Sequence, residues 1–364
     1  MNLAILIGRF PPGPVGGAEF QAERWAQLLG DRHRVVVVTR RDPGQPDRET
    51  RDGFEVVRLP VSPLPLWRTW HDLRGIERAV SHLSPRPDLL LCFQTFISGL
   101  AGVWIQSRSG IPAVVWVRGD DEIRLDDPGI TRWVSPGVWR RARGVLTQSD
   151  AVRTELLARL AARDARASQL LAGKLEVVPN GIDLPGPPLP AGRGILAVGR
   201  LIPQKGMDVV IDAVAPTSLS LTIAGDGPER SRLEARARPF GDRIRFEGSV
   251  PRDRLDRLYR DACCVVLASR RGEGLPNVLL EGMSYGRPIV ATPVAGVRDL
   301  VHDGENGLLI PPDDPVALRA ALSRLAADPA LATRLGAAGR ITAERFRWES
   351  VRRDLEPLLE RWAS

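Results

Sequence analysis

The sequence has few cysteines, scattered histidines and no long apolar run. Its 364 residues include three cysteines, and two of them, Cys263 and Cys264, are adjacent. This excludes a disulfide framework and the usual zinc spacings, and it is typical of a protein in a reducing compartment. No apolar stretch approaches the roughly 20 residues needed to cross a bilayer. We therefore expect a soluble, globular protein without a structural metal.

The first residues also lack the features of a targeting signal. Met1–Gly8 has no basic leader and no cleavage site, and it leads directly into a strand, a turn and a helix. The segment is therefore predicted to be a core strand rather than a signal peptide. A cytoplasmic location follows as an expectation, and peripheral contact with the inner face of the membrane stays open.

Lysine is scarce, although the chain is basic. The formal net charge is +7, from 51 basic and 44 acidic residues, and Lys174 and Lys205 are the two lysines. The basic residues are spread over both halves of the sequence, whereas a nucleic-acid-binding protein more often concentrates them in one segment. Nucleic acid is therefore not an expected partner. A weak attraction to anionic lipid remains an alternative.

Strand and helix patterns alternate along both halves of the chain, which is the pattern of doubly wound parallel sheets. The length suits two domains, and the Pro- and Gly-rich stretch 184–194 is the predicted linker. The predicted domains are 1–184, joined by a last helix near 346–364, and 185–345. In the second domain the predicted strands are 195–198, 220–224, 244–246, 263–268 and 288–291, and the predicted helices include 206–214, 229–238 and 277–285.

A pair of glycines, Gly16 and Gly17, lies between the first strand and the first helix. Glycines at a helix N-terminus allow backbone amides to approach an anion closely. The turn is not Gly-x-Gly-x-x-Gly, and the second strand ends in Thr39 and Arg40 rather than in an acidic residue. The nicotinamide-binding pattern is therefore missing. A tight turn without a ligand is an equal alternative.

Two cations follow the first strand of the second half. Gly199 and Arg200 end that strand, and a short loop leads to Lys205 at the start of a helix. Cations at the carboxyl end of such a strand suit a diphosphate, although a solvated surface pair is the simpler alternative. Gly225 belongs to a second glycine turn, which follows the next strand and is predicted to lie at the same edge.

Two glutamates, Glu273 and Glu281, flank the start of a predicted helix. Pro276 suits the first turn of that helix, and the free N–H groups there can bind an anion. Isolated pairs of glutamates are usually solvated. Glu281, however, lies in a mainly apolar segment, where an unpaired charge would be costly. The pattern favours two carboxylates for sugar hydroxyls with a phosphate between them, and no carboxylate cluster indicates a magnesium site.

Taken together, these motifs resemble retaining glycosyltransferase family 4. The resemblance rests on the Glu273…Glu281 pair with seven residues between, on 284–293 and 303–311, and on the glycine and cation turns described above. It covers nearly the whole chain. It implies the GT-B fold, in which two Rossmann-like domains face a central cleft and a C-terminal helix crosses back to the N-terminal domain.

The resemblance also implies roles for single residues. Arg200 and Lys205 would hold the diphosphate of a UDP- or GDP-linked sugar, which is a donor substrate rather than a cofactor, and Gly16 and Gly17 would close over it. Glu273 would contact the transferred sugar, Glu281 the ribose, and Val250 the base through its backbone. The amides that would bind sugar hydroxyls and phosphate are those around Gly274, Leu275, Asn277 and Val278.

One position departs from the family pattern. Many relatives have a histidine near the donor sugar, but the corresponding strand here continues into Arg118 and Asp120. Either these two residues replace the histidine or a different sugar is bound. The acceptor, a glycan, a lipid-linked molecule or a small molecule, would be recognised by the N-terminal domain, where Trp67 and Trp70 lie in a loop-like apolar segment. They would stack on an acceptor sugar or dip into a bilayer.

Two other classes of protein share doubly wound domains of this kind. A non-catalytic nucleotide-sugar-binding subunit would keep the fold but could lose the charged residues, which are all present here. An epimerase or dehydrogenase needs the missing nicotinamide pattern and a catalytic tyrosine with a nearby lysine, and neither Tyr259 nor Tyr285 has one. The sequence therefore favours a retaining hexosyltransferase, with surface polysaccharide synthesis as the usual setting. The oligomeric state stays unknown.

Overall fold

The structure, a computed structural model, describes residues 1–12, 16–61, 68–125, 129–186 and 192–364. The chain divides into two compact units. The first unit is Met1–Pro179 together with Val351–Ser364, and the second unit is Asn180–Ser350. Among the described residues, no helix has the length and apolar character needed to cross a membrane.

The first unit is built on an eight-stranded sheet in the order β3-β4-β2-β1-β5-β6-β7-β8. All neighbouring strands are parallel except β3 and β4. The strands are β1 (Asn2–Leu6), β2 (Arg34–Arg40), β3 (Arg48–Arg51), β4 (Phe54–Leu59), β5 (Leu89–Phe93), β6 (Ala113–Trp116), β7 (Gly144–Thr147) and β8 (Leu175–Val177). Their near-continuous runs of apolar residues reflect burial on both faces, as parallel sheets require. The chain order reverses between β1 and β5.

Helices cover both faces of this sheet. They are α1 (Gly17–Gly30), α2 (Arg68–Ser81), α3 (Leu100–Ser109), α4 (Asp120–Ile123), α5 (Thr131–Arg141), α6 (Asp150–Ala161) and α7 (Ala165–Ala172). Side chains cap several of them at the N-terminus; the Ser149 hydroxyl, for example, accepts a hydrogen bond from the Val152 amide. The core of the unit forms where strand residues such as Leu90 and Val115 pack against these helices.

The second unit has a six-stranded, wholly parallel sheet in the order β11-β10-β9-β12-β13-β14. Its strands are β9 (Ile195–Val198), β10 (Leu221–Ala224), β11 (Ile244–Gly248), β12 (Cys264–Leu267), β13 (Ile289–Ala291) and β14 (Leu308–Leu309). Its helices are α8 (Met207–Val214), α9 (Arg230–Ala237), α10 (Arg252–Asp261), α11 (Asn277–Ser284), α12 (Pro315–Ala327) and α13 (Pro329–Glu344). Here the chain order reverses between β9 and β12.

The last helix, α14 (Trp348–Ala363), returns the chain to the first unit, since Val351–Ser364 belong to that unit. Trp362 is buried against β7, where a Cβ atom added to Gly144 would lie 2.3 Å from the indole. Arg361 is paired with Glu176 of β8 at 2.7 Å. The predicted fold, two doubly wound sheets and a C-terminal helix that crosses back, is confirmed.

The sequence did not predict β3, α10 or the two-residue strand β14, which pairs with β13. Strand β3 carries charged and polar residues on both faces, and it is held at the sheet edge by antiparallel pairing with β4. Helix α10 lies between β11 and β12, where two strands were predicted in succession. Its residues are mostly charged, so the apolar signal is confined to Leu255, Leu258 and Tyr259, spaced three and four residues apart on one face.

Candidate active site

The first part of the site lies where the chain order of the second sheet reverses, between β9 and β12. Ligands of doubly wound sheets bind outside the carboxyl ends of the strands at such a point. Gly199 follows β9, and Gly225 follows β10 with a φ of +142°. A Cβ atom at Gly225 would lie 1.9 Å from the carbonyl oxygen of Gly199. The two turns therefore approach each other at a distance that only glycine permits.

Lys205 and Glu273 form an ion pair at this edge. A short 3₁₀ turn, Pro203–Lys205, ends at Gly206, whose φ is +61° and whose Cα packs on the Ala268 carbonyl. Lys205 Nζ lies 2.6 and 2.8 Å from the two carboxylate oxygens of Glu273. The Ser269 hydroxyl also donates to Glu273. The loops after β9 and β12 are thus joined through the two residues predicted to contact diphosphate and sugar.

Arg200 differs from Lys205 in its surroundings. Its side chain is exposed, and no described residue forms an ion pair with its guanidinium. Lys205 lies close by: a Cβ atom at the preceding Gly199 would be 3.9 Å from Lys205 Cδ. Of these two cations, Lys205 is neutralised by Glu273, whereas Arg200 has no ion pair with a described residue and can pair with an anion.

Helix α11 begins immediately beyond Glu273. Pro276 is its N-cap residue, so the first N–H groups of the helix lack intrahelical partners. The Asn180 amide, which is buried, donates to the Leu275 carbonyl at 2.9 Å and to Asn277 Oδ1 at 2.6 Å. These bonds fix the strand-to-helix segment that contains Gly274, Leu275, Asn277 and Val278. Leu275 is buried and Val278 half-buried.

Glu281 lies within α11 and is buried, with 5% of its surface exposed. The Tyr259 hydroxyl donates to its Oε2 at 2.6 Å, and the Arg252 guanidinium donates to its Oε1. Burial, reinforced by the charge of Glu281, raises the pKa of Tyr259 well above its usual value, so the phenol stays a donor. Burial acts to lower the pKa of Arg252, but Glu281 outweighs it, and the net pKa is raised.

Arg252 and Tyr259 were not identified as site residues from the sequence. Both lie on α10, and Tyr259 was considered there only as a candidate dehydrogenase residue. A signal was present, because Tyr259 is one of two tyrosines and lies seven residues after Arg252, on the same helix face. The same helix is preceded by Val250, which is half-buried in the turn after β11.

In the first unit, the corresponding reversal lies between β1 and β5. Gly16 and Gly17 are exposed at the N-terminus of α1. The Glu19 carboxylate accepts a hydrogen bond from the Gly16 amide at 2.9 Å. The neighbouring strand β5 runs into the π-turn Thr95–Gly99, in which Ile97 has a φ of +57°. A positive φ is costly for a β-branched residue, and such strain is common at functional sites.

Arg118 is buried at the end of β6. Its guanidinium carbon lies 4.9 Å from the centre of the Trp116 ring and 5.3 Å from that of Phe93. Burial lowers the pKa of Arg118 to about 9, and the charges of Glu122 and Glu19 oppose that shift. Glu122 also accepts a hydrogen bond from the Arg118 amide at 2.8 Å. The side chain of Asp120 lies outside the described residues, although its backbone begins α4.

Trp70 is half-exposed on α2, and Trp67 lies outside the described residues. The Trp70 ring is perpendicular to that of Trp104 on α3, with 5.6 Å between their centres. The Arg74 guanidinium lies over the Trp70 ring, 4.9 Å from the ring centre. The sequence predicts a loop-like segment for Trp70, which is wrong, because the residue lies in α2 and packs against Trp104 of α3. Its stacking on an acceptor sugar stays a prediction.

Two family models match the chain, one in each half. Residues 16–181 match the Glycosyl transferase 4-like domain, and residues 192–328 match Glycosyl transferases group 1. The D-inositol 3-phosphate glycosyltransferase of Acidothermus cellulolyticus is 34% identical, over 93% of this chain and 84% of the relative. The lipopolysaccharide core biosynthesis glycosyltransferase LpsE of Rhizobium meliloti is 30% identical, over 72% and 73%. The chain belongs to this family of glycosyltransferases.

Solved structures support the same fold. Sucrose-phosphate synthase from Thermosynechococcus elongatus superposes with a TM-score of 0.84 at 24% identity, over 99% of this chain and 98% of the other. Anabaena HepE in complex with UDP-glucose has a TM-score of 0.81 at 20% identity, over 99% and 100%. The fold is therefore GT-B, and the protein is a GT-B glycosyltransferase.

Proposed function

We propose that this enzyme transfers a hexose-type sugar from a UDP- or GDP-linked donor to a glycan, lipid-linked or small-molecule acceptor, with retention of anomeric configuration. The observation that carries the proposal is the Lys205–Glu273 ion pair at the reversal of the second sheet, with buried Glu281 further along α11. Glu273 precedes the start of that helix, and Glu281 lies just over one turn into it. This arrangement suits a sugar, a diphosphate and a ribose in series.

In this proposal, residues 185–345 bind the donor. Arg200 and Lys205 neutralise the diphosphate together with the first amides of α11. Glu273 accepts hydrogen bonds from the transferred sugar, and Glu281 from the ribose hydroxyls. The remaining roles fall on the backbone: Val250 for the base, the segment around Gly274, Leu275, Asn277 and Val278 for sugar and phosphate oxygens, and Gly16 and Gly17 for the far side of the diphosphate. The Anabaena HepE complex with UDP-glucose favours uracil as the base.

The chemistry then follows from the charges. The bond between the anomeric carbon and the diphosphate oxygen breaks, and the nucleoside diphosphate leaves with the electron pair. Arg200, Lys205 and the helix amides stabilise the negative charge that develops on it. The acceptor hydroxyl forms the new bond on the same face of the sugar and passes its proton to the departing phosphate. This route gives retention without a carboxylate nucleophile, and the proposal assigns no residue to a metal.

The remaining assignments belong to residues 1–184 and the last helix, which we infer recognise the acceptor. Arg118, buried on the Trp116 and Phe93 rings, is the candidate to meet the far edge of the donor sugar, with Asp120 beside it in sequence. The similarity to LpsE favours surface polysaccharide or glycoconjugate synthesis as the setting. The enzyme would then act in the cytoplasm, and contact with the inner membrane face would be peripheral.

A binding screen followed by a turnover assay tests the proposal. The melting temperature is measured with UDP, GDP and their hexose derivatives, and release of nucleoside diphosphate is then assayed with the stabilising donor. We expect at least one nucleotide to raise the melting temperature. Lys205→Ala should lower turnover by about 100-fold, because one charge-stabilising contact to the leaving group is lost. The control is Arg324→Ala, which changes an exposed arginine on α12 and should retain wild-type turnover.

The outcomes separate the enzyme from its main alternative. Nucleotide binding without product release, with any acceptor offered, would indicate a non-catalytic sugar-nucleotide-binding subunit. Absence of binding to every nucleotide, or wild-type turnover in Lys205→Ala, would contradict the proposal. Anomeric configuration of the product, determined by NMR, tests retention separately.

A further inference from the structure

The first unit contains a cavity that the donor-binding residues do not line. Its volume is about 560 Å³, and it lies at the carboxyl ends of β1, β2 and β4 beside α2. Val57, Leu59, Ile76 and Ala79 are among the apolar side chains that form its walls. A cavity of this size and character is typical of a site for a small or medium-sized ligand.

A buried hydroxyl without a partner lines this cavity. Thr39, near the end of β2, is 3% exposed, and its Oγ1 has no hydrogen-bond partner within the described residues. Leaving a buried hydroxyl unpaired costs free energy, and most such groups in proteins are satisfied. The cavity therefore offers one unused donor and acceptor to a ligand that enters it.

The lining is also strongly cationic. Arg40, Arg48, Arg74 and Arg78 all line the cavity, and Asp72 is the one carboxylate among the lining residues described. Asp72 is buried and already paired with Arg40. Arg48 and Arg78 are exposed and form no ion pair with any described residue. Two cations are thus left for a ligand, which by charge complementarity must be an anion.

The apolar character extends beyond the cavity. Arg74 lines the cavity and also lies 4.9 Å from the centre of the Trp70 ring, and Trp70 packs against Trp104. Among the described lining residues, Thr39 is the one with a neutral polar side chain; the other polar side chains are arginines, histidines and Asp72. A free sugar phosphate carries many hydroxyls, and the walls formed by Val57, Leu59, Ile76 and Ala79 offer them no hydrogen-bond partner. A hydrocarbon chain needs no such partner and can pack on these walls.

We propose that this cavity binds an anionic amphiphile: the phosphate of a lipid-linked acceptor on Arg48 and Arg78, and the adjoining hydrocarbon on the apolar walls. The inference rests on the proposed function, since it names the class of acceptor for that transfer. In this proposal the phosphate and hydrocarbon of the acceptor are bound by α2, by Arg48 of β3 and by the carboxyl ends of β2 and β4. The binding of decyl phosphate, by itself, does not depend on transfer.

Decyl phosphate below its micelle concentration is a suitable probe, with decanol, glycerol phosphate and inorganic phosphate as partial ligands. Calorimetry should give at least about tenfold tighter binding of decyl phosphate than of any partial ligand, because both parts contribute. The double variant Arg48→Gln/Arg78→Gln should bind decyl phosphate about tenfold or more weakly than the wild type, and its affinity for decanol should be unchanged. The matched control is Arg143→Gln/Arg166→Gln, which removes two exposed arginines of the same unit.

Each other result overturns the inference. If glycerol phosphate bound as tightly as decyl phosphate, the acceptor would be a water-soluble phosphorylated molecule. If decanol bound as tightly as decyl phosphate, the arginines would take no part in binding. An unchanged affinity in the Arg48/Arg78 variant has the same meaning. If that variant does not fold, salt titration of the wild type decides, since added NaCl should weaken decyl phosphate but not decanol. UDP binding, measured in parallel, reports separately on the proposed function.

Discussion

At the scale of single residues, the site depends on ion pairs that a donor would have to share. Lys205 and Glu273 are 17% and 12% exposed, so each charge lies in a partly dehydrated environment. Removing one partner of such a pair leaves the other unsatisfied. Lys205 is therefore both a proposed ligand of the donor and the group that orients the Glu273 carboxylate.

Glu281 is held in a different way, by a buried phenol and a guanidinium on α10. Tyr259→Phe removes the hydrogen bond to Glu281 Oε2 and keeps the aromatic ring in place. We expect the free energy of unfolding to fall by about 1–3 kcal/mol, because a buried acceptor loses its partner. The affinity for the stabilising nucleotide should fall by about tenfold, because Glu281 would no longer be fixed for its proposed contact with the ribose. Chemical denaturation and calorimetry measure the two effects.

Tyr285→Phe provides the matched control for this change. The Tyr285 ring is stacked on the Tyr259 ring, with 5.7 Å between their centres. Tyr285→Phe therefore removes the same hydroxyl group from the neighbouring ring. The Tyr259–Glu281 hydrogen bond stays intact in this variant. Equal nucleotide affinities of the two variants would contradict the role given to Tyr259.

Part of this residue-level picture could be predicted from the sequence. Arg200, Lys205 and Glu273 follow buried strands, and the strand ends of a parallel sheet meet at one edge, so their proximity was predictable. The partners of Glu281 were not, because Arg252 and Tyr259 precede it by 29 and 22 residues on a helix with a weak apolar pattern. A buried charge in an apolar segment predicts that a partner exists but not which residue supplies it.

At the scale of elements, the last helix packs through one buried face, formed by Val351, Leu355, Leu359 and Trp362. Trp362 is 5% exposed and packs directly on Gly144 of β7. Trp362→Ala should lower the free energy of unfolding by about 3–5 kcal/mol, the usual effect of truncating a buried aromatic residue. Arg353→Ala, on the exposed face of the same helix, should stay within about 0.5 kcal/mol of the wild type.

Urea denaturation followed by circular dichroism compares the two variants. If Trp362→Ala were as stable as Arg353→Ala, the contact between Trp362 and Gly144 would contribute little to the stability of the first unit. The buried aromatic contact makes the opposite result the expected one.

The elements themselves were largely predictable because burial on both faces gives the strands unbroken apolar runs. Exceptions follow the same logic. Strand β3 lies at the sheet edge, with charged residues on both faces, and only its pairing with β4 makes it a strand. Helix α10 is so highly charged that its apolar face is reduced to three residues. Where tertiary packing decides the structure of a segment, the periodicity of its apolar residues does not predict it.

At the scale of the whole molecule, each unit carries its own sheet, its own core and its own point of reversal. The proposal gives the donor to the second unit and the acceptor to the first. The two ligands should therefore protect different parts of the backbone. Gly16 and Gly17 are the exception, because they belong to the first unit but are assigned to the donor.

Hydrogen exchange read out by mass spectrometry tests this division. UDP, or whichever nucleotide stabilises the protein, should slow exchange in peptides covering 199–206 and 273–281, because their amides are assigned to phosphate and sugar. Decyl phosphate should instead slow exchange around 71–82. Slower exchange at 16–20 with nucleotide would support the role of Gly16 and Gly17, and its absence would restrict donor binding to the second unit.

Lys205→Ala is the control, since its nucleotide-dependent protection should be lost while decyl phosphate still protects α2. Protection of 199–206 by decyl phosphate alone would contradict the separate assignment of the two ligands.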